Sequence, residues 1–175
     1  MIKSRALLAV MAIAIASPAW PCSWVGPDPV PTPQDLVAQA RVVVRARAER
    51  SDTPGSFSAT VPVRFTVLEV LKGEIAAPEF LFEGYLEAAD DPNTRAVPYT
   101  FVRPGGRHGT CYAKNYKAGA EYLLFLKPSY IRPDGAELPL TPYWAALKPA
   151  NEQVTGADDA WAVWVRTQVL ALRQR

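Results

Sequence analysis

The one histidine, His108, lies in Arg103-Pro104-Gly105-Gly106-Arg107-His108-Gly109, three residues before Cys111. An imidazole near a thiol is the start of an activated cysteine nucleophile, and a histidine is the base that a serine triad requires. Neither set is completed. No nucleophile-elbow motif surrounds a serine, and no helix follows Gly105-Gly106 as a phosphate-binding loop demands. The stretch reads as a glycine-rich surface loop. Asp90-Asp91 and Asp158-Asp159 are acid pairs, but adjacent side chains diverge, and paired carboxylates for glycoside chemistry need a facing geometry that the sequence does not supply. Asp90-Asp91-Pro92-Asn93 reads as a turn and Asp158-Asp159 as a helix start. One histidine and two cysteines are too few for a typical structural zinc site. The chain is therefore expected to be non-catalytic and to need no metal or cofactor. The competing expectation is a hydrolase that uses His108 or scattered carboxylates.

The cysteines gain meaning from the N-terminus. Lys3 and Arg5 precede an apolar run from Ala6 to Ala16, and Ser17-Pro18-Ala19 then offers small residues. This is the pattern of a cleaved secretory signal, and a run this short cannot span a bilayer that needs about 20 residues. Cleavage is expected after Ala19, which leaves a single domain from Trp20 to Arg175 in the periplasm or outside the cell. Exported chains meet an oxidising compartment where paired cysteines persist as disulfides. Cys22 and Cys111 allow one intramolecular bridge, closing a loop of about 90 residues worth at most about 4–5 kcal/mol by chain entropy. A reactive thiol near His108, or a bridge between molecules, is the alternative.

The 175 residues suit one domain, and 49% hydrophobic with 21% charged residues excludes disorder. Removing Lys3 and Arg5 from the 19 basic residues leaves 17, equal to the 17 acidic ones. Non-specific nucleic-acid binding requires an excess of positive charge, so that class is set aside. Charge is nevertheless segregated. Glu79 to Asp91 carries five acidic residues and no basic one. The stretch from Arg103 to Lys117 carries Arg103, Arg107, His108, Lys114 and Lys117 and no acidic residue. These cations, interleaved with Tyr112 and Tyr116, form a candidate patch for an anionic glycan or a protein partner. The other arrangement sets the two stretches face to face or leaves both simply solvated. Trp144, Trp161 and Trp164 are candidate partner-binding aromatics, or they pack a helix onto the body of the domain.

The elements that must position these residues are mostly strands, with 17 prolines against 10 glycines marking many turns. Thr32-Pro33-Gln34-Asp35 starts a short helix to about Ala40, with Thr32 as its cap. Val42 to Ala48 alternates as a half-buried strand, with Val42, Val44, Ala46 and Ala48 on one face. Ser58 to Leu71 is a longer strand whose step changes near Leu68 and Val70, the signature of a bulge. Phe80 to Glu83 is a third strand and Tyr122 to Leu126 a strongly apolar one. Tyr99–Val102 and Tyr143–Leu147 are weaker strand candidates. A C-terminal helix over about 157–173 carries Trp161, Trp164, Val165, Val169 and Leu172 on one stripe. No βαβ rhythm supports a parallel sheet. The expected fold is mainly β, an OB-like five-stranded barrel with a short N-terminal and a C-terminal helix.

An ordered set of residues strengthens that expectation. Cys22-Ser23-Trp24 opens the mature chain. The helix ending Leu36-Val37-Ala38-Gln39-Ala40 runs into Val42-Val43-Val44-Arg45-Ala46. Val63-Arg64-Phe65-Thr66-Val67-Leu68-Glu69-Val70-Leu71-Lys72-Gly73 follows, then Cys111 and Gly119-Ala120-Glu121-Tyr122-Leu123-Leu124-Phe125. From Cys22 to Lys127 this order resembles the netrin-like, or TIMP-like, OB-fold domain of tissue inhibitors of metalloproteases and their bacterial relatives. The resemblance implies a five-stranded OB barrel and the Cys22–Cys111 bridge. It does not carry the inhibitory site, in which an N-terminal cysteine chelates the protease zinc. Trp20-Pro21 precedes Cys22, and Trp24 stands where the second cysteine of Cys-x-Cys would be. The functional expectation is an exported binding module for a protein or an anionic glycan, with the hydrolase or a metalloprotease-inhibitor-like protein as the alternative.

Overall fold

A computed structural model describes residues 32–51, 61–100, 103, 115–128, 140–142 and 151–174. The proposed signal segment, Cys22, Cys111 and the Tyr143–Leu147 strand lie outside the described residues. Within them the protein is mainly β, a largely antiparallel sheet flanked by a short N-terminal and a longer C-terminal helix.

Helix α1 (Pro33–Gln39) begins as the sequence reading expects. Thr32 Oγ1 accepts from Asp35 N at 3.1 Å, and the Asp35 carboxylate accepts in return from Thr32 N at 3.3 Å. This reciprocal capping box satisfies two otherwise orphaned donors. The helix buries Leu36 and Val37 and hands the chain directly to the sheet, since Arg41 N donates to Leu126 O at 2.8 Å. Its carbonyl end is closed from afar. Lys72 Nζ donates to the carbonyls of Val37, Ala38 and Ala40 at 2.8, 2.7 and 2.6 Å. A cation there also complements the negative end of the helix dipole. The next residue, Gly73, has φ +74°, and a Cβ on it would stand 2.4 Å from Arg41 O. The Lys72-Gly73 pair thus has a local cause: one residue caps α1 and the other lets two backbones touch.

Strand β1 (Val42–Arg50) lies at the centre of the sheet. It pairs antiparallel with β2 (Val61–Lys72) and with β5 (Glu121–Pro128). The register of β1 on β2 skips Leu71 and Leu68, which places the irregularity where the sequence period breaks. β3 (Glu79–Glu87) pairs antiparallel with β2, and β4 (Asn115–Lys117) pairs parallel with the end of β3. β6 (Leu140–Pro142) and β7 (Asn151–Val154) both pair antiparallel with β5. The three-residue β3–β4 ladder is the one parallel strand pairing among the described residues. Tyr99 and Thr100 lie in no strand; Tyr99 is buried and its ring centroid is 5.0 Å from that of Trp161.

β1 and β5 are buried on both faces, which divides the core in two. On one face Val42, Val44, Ala46, Ala48, Tyr122, Leu124 and Leu126 pack around Phe65. Phe65 touches Phe80, Phe82 and Tyr116 with ring centroids 5.6, 5.6 and 4.9 Å away. On the other face Val43, Leu123 and Phe125 meet α1 and α2 (Ala160–Arg173). Asp159 caps α2, accepting from Trp161 N at 2.9 Å. Trp161 is fully buried and stacks on Trp164 at 5.0 Å. Beside this second core an ion network ties α2 to the sheet. Glu69 of β2 accepts from Arg45 of β1 and from Arg166 of α2, and Arg45 also pairs with Glu121 of β5. Burial works against the Glu69 charge, but hydrogen bonds from Arg166 and Arg45 outweigh it and hold the carboxyl below its ordinary value.

Lys72→Met keeps the aliphatic stem and removes the cap on α1. We expect it to lower unfolding stability by about 1–3 kcal/mol, read as a shift in the urea midpoint. Gly73→Ala should cost at least as much, because the clash is with backbone and the φ is left-handed.

Candidate functional site

The acidic and basic stretches meet at one end of the sheet, where β4, the end of β3 and β7 converge. The acidic stretch ends in the connection after β3, and the structure sets that connection against Arg103, β4 and β7. Asn115 Nδ2 donates to Glu87 Oε1 at 3.2 Å, Lys117 Nζ contacts Asp90 Oδ2 at 2.5 Å, and Arg103 Nη1 contacts Asp91 Oδ2 at 2.7 Å. Gln153 of β7 bridges the acid pair, donating to Asp90 Oδ1 at 2.7 Å and accepting from Asp91 N at 2.7 Å. The bonds from Lys117 and Gln153 hold the Asp90 carboxyl below its ordinary value. Pro92 and Gln153 form a parallel bridge beside these contacts.

Arg103 is the centre of the arrangement, and it is fully buried. Besides Asp91, its Nε donates to Asn151 O at 2.7 Å and its Nη2 to Asn115 O at 2.5 Å. Its guanidinium lies 5.5 Å from the Tyr116 ring centroid and 5.2 Å from that of Tyr122. Both rings add cation–π attraction in a desolvated place. Burial pushes the Tyr116 hydroxyl up to about 12, and it raises that of Tyr122 as well. Both phenols therefore stay neutral: Tyr122 Oη accepts from Lys117 N at 2.7 Å, and Tyr116 Oη accepts from Asn151 Nδ2 at 3.1 Å.

Of the proposed cationic patch, then, Arg103 lies inside the protein and Lys117 is paired with Asp90. Arg107, His108 and Lys114 lie outside the described residues. Of the proposed aromatics, Trp161 is a core residue, Trp164 is half-buried against it, and Trp144 lies outside the described residues. A cavity of about 290 Å³ opens beside Arg103, lined by Glu87, Asp90, Asp91, Asn115 and Lys117 among others. Its named charges are three carboxylates against two cations. Among the described residues no group of three histidine, cysteine or acidic side chains is placed to hold a metal ion.

One ionisable residue was not singled out from sequence. Glu152 of β7 is fully buried, and its Oε1 accepts from Arg103 N at 3.1 Å while Oε2 has no hydrogen-bond partner. Burial raises its carboxyl from 4.5 to about 7, against the pull of Arg103 and the neighbouring Asn93 amide. Asn151-Glu152-Gln153-Val154 looks like a polar run. The available signal was its alternation, which puts Glu152 on the same strand face as Val154, a core residue.

Two outcomes follow from these groups. Arg103→Met would leave Asp91 and two backbone carbonyls without their donor, and we expect a loss of roughly 3–5 kcal/mol. Arg103→Lys should recover little, because one ammonium cannot reach three diverging acceptors. For Glu152 the folded value lies above the unfolded one, so folding takes up a proton between about 4.5 and 7. Stability from this group is therefore greatest at low pH, falls as pH rises through that window and levels above it. Glu152→Gln should flatten the slope and, at pH 8, exceed the wild type by roughly 2–4 kcal/mol, measured by denaturant titration at pH 5 and pH 8. No protein-family model matches this chain, and no curated protein matches it.

Proposed function

We propose that the chain is an exported, non-catalytic binding module with an OB-like, netrin-like barrel, and that its partner is a protein of the cell envelope. The supporting observation is where the charges go. Arg103 and Lys117, the cations that an anionic glycan would seek, are engaged by Asp91 and Asp90. Among the described residues the cavity is lined by the carboxylates of Glu87, Asp90 and Asp91 against Arg103 and Lys117, an acidic excess of one charge. Acidic side chains repel a polyanion and suit a basic or amide-rich protein surface.

Three further features support the reading. The pairings run β3–β2–β1–β5–β7 in an open order, and the isolated bridge from Pro92, in the connection after β3, to Gln153 of β7 is the contact that supports reading this order as a barrel. Of the residues that carry the family resemblance, Lys72-Gly73 closes β2 against α1, and the Gly119 to Phe125 stretch leads into β5 beside β1. The Met1–Ala19 pattern and the Cys22/Cys111 pair fit an oxidising compartment.

The test is cross-linking and co-purification of the chain from its native envelope over a salt series, with intact mass of the mature protein before and after reduction. We expect a mass that begins at Trp20, thiols that alkylate only after reduction, and a protein partner retained at high salt. Capture by an anionic glycan that falls steeply with salt would overturn the choice of partner. A hydrolytic activity abolished by His108→Ala would overturn the non-catalytic reading.

A further inference from the structure

Polar groups link β7 to the connection after β3 and to Arg103. Gln153 grips Asp90 and Asp91, Asn151 O takes Arg103 Nε, and Glu152 takes Arg103 N. Glu152 is the one member of this set that is both ionisable and lacking a partner on one oxygen. It lies on the same strand face as Val154, a helix-side core residue, it is fully buried, and its charge acts on the nearby Tyr99 hydroxyl.

We infer that Glu152 is a proton-controlled latch, which holds Asp90, Asp91 and Arg103 on β7 when the carboxyl is protonated and lets that segment open when the carboxyl is ionised.

The argument is one of satisfaction. A protonated carboxyl has a neutral oxygen to receive Arg103 N and is tolerated in an apolar wall. An ionised one keeps a full charge there with one oxygen unbonded, a state that a local opening relieves by admitting water. The charged and titratable groups around Glu152 do not cancel this. Arg103 attracts the carboxylate but already holds Asp91, which repels it. Tyr99 is neutral and is itself raised by burial and by the Asp159 and Glu152 charges. On β5 the nearest acid, Glu121, is paired with Arg45 and Arg47. The ordinary and folded values of the carboxyl, 4.5 and about 7, bracket the working range. The segment supplies Asp90, Asp91 and Arg103 to the cavity, so opening would remodel the cavity mouth.

The experiment is amide hydrogen exchange on the full mature protein from pH 5 to 8.5, corrected for intrinsic exchange chemistry. The opening equilibrium of residues 90, 91, 93, 103 and 151–153 should rise about tenfold per pH unit between about 5 and 7 and then level off. The centres of β1 and β5 should show no such rise below global unfolding. Glu152→Gln should make the segment's protection independent of pH. A rise shared equally by all strands, no rise at all, or a rise that survives Glu152→Gln would overturn the latch. If that variant does not fold, a carbon-13 titration of glutamate carboxyls in the wild type decides. A resonance with a midpoint near neutral and a matching shift in Arg103 N supports the latch; midpoints all in the ordinary glutamate range refute it.

Discussion

A guanidinium removed from water must find acceptors for its donors, and around Arg103 this single demand gathers the end of the sheet. Its N–H groups point in diverging directions and meet Asp91, Asn151 O and Asn115 O, while Tyr116 and Tyr122 lie against the group. Each acceptor belongs to a different segment: the connection after β3, β7 and β4. A planar fork can bind three partners at once in fixed directions, which a lysine ammonium cannot match. The three short contributors each place one or two apolar residues in a core, Tyr116 from β4, Val154 from β7 and Tyr99 from the connection. What joins them to one another is the charge they must satisfy together.

The rest of the molecule follows a different rule. β1 and β5 are buried on both faces and supply apolar residues to two cores at once. Where β1 turns polar, at Arg45 and Arg47, the sheet meets α2 through an ion network instead of packing. One of its partners, Glu69, joins β2 to both β1 and α2, so the network repeats in half-exposed form what Arg103 does in the interior. It contributes less, since water competes for every member.

Much of this arrangement was legible in the sequence. α1, β1, β2 with its irregularity near Leu68, β5 and α2 all carry a period or a cap that needs no distant partner to be read. β4, β6 and β7 do not. They have three or four residues each, and pairing with β3 or β5 makes them strands. The candidate site was half legible. The charge segregation between Glu79 and Lys117 showed that two stretches could meet, and Asp90, Asp91 and Lys117 do meet in that way. Composition could not show that Arg103 would be buried, because Asn151 and Glu152, which complete its shell, lie 48 and 49 residues away. Glu152 was hidden for the same reason. A glutamate in a polar run reads as solvated until the fold turns that strand face inward.

The capping of α1 by Lys72 bears on the order in which the chain acquires structure. A helix of seven residues is far below the length, about 12–15 residues, at which an isolated helix holds in water. Its N-terminal box is local, but its carbonyl end is closed by a side chain 35 residues beyond Val37, at the far end of β2. The Lys72 ammonium reaches those carbonyls only once β1 and β2 have paired in register. The helix therefore cannot serve as an early nucleus, although it is the first element in the described chain. Its completion depends on pairing of β1 with β2, so a seemingly local element rests on a contact 35 residues away in sequence.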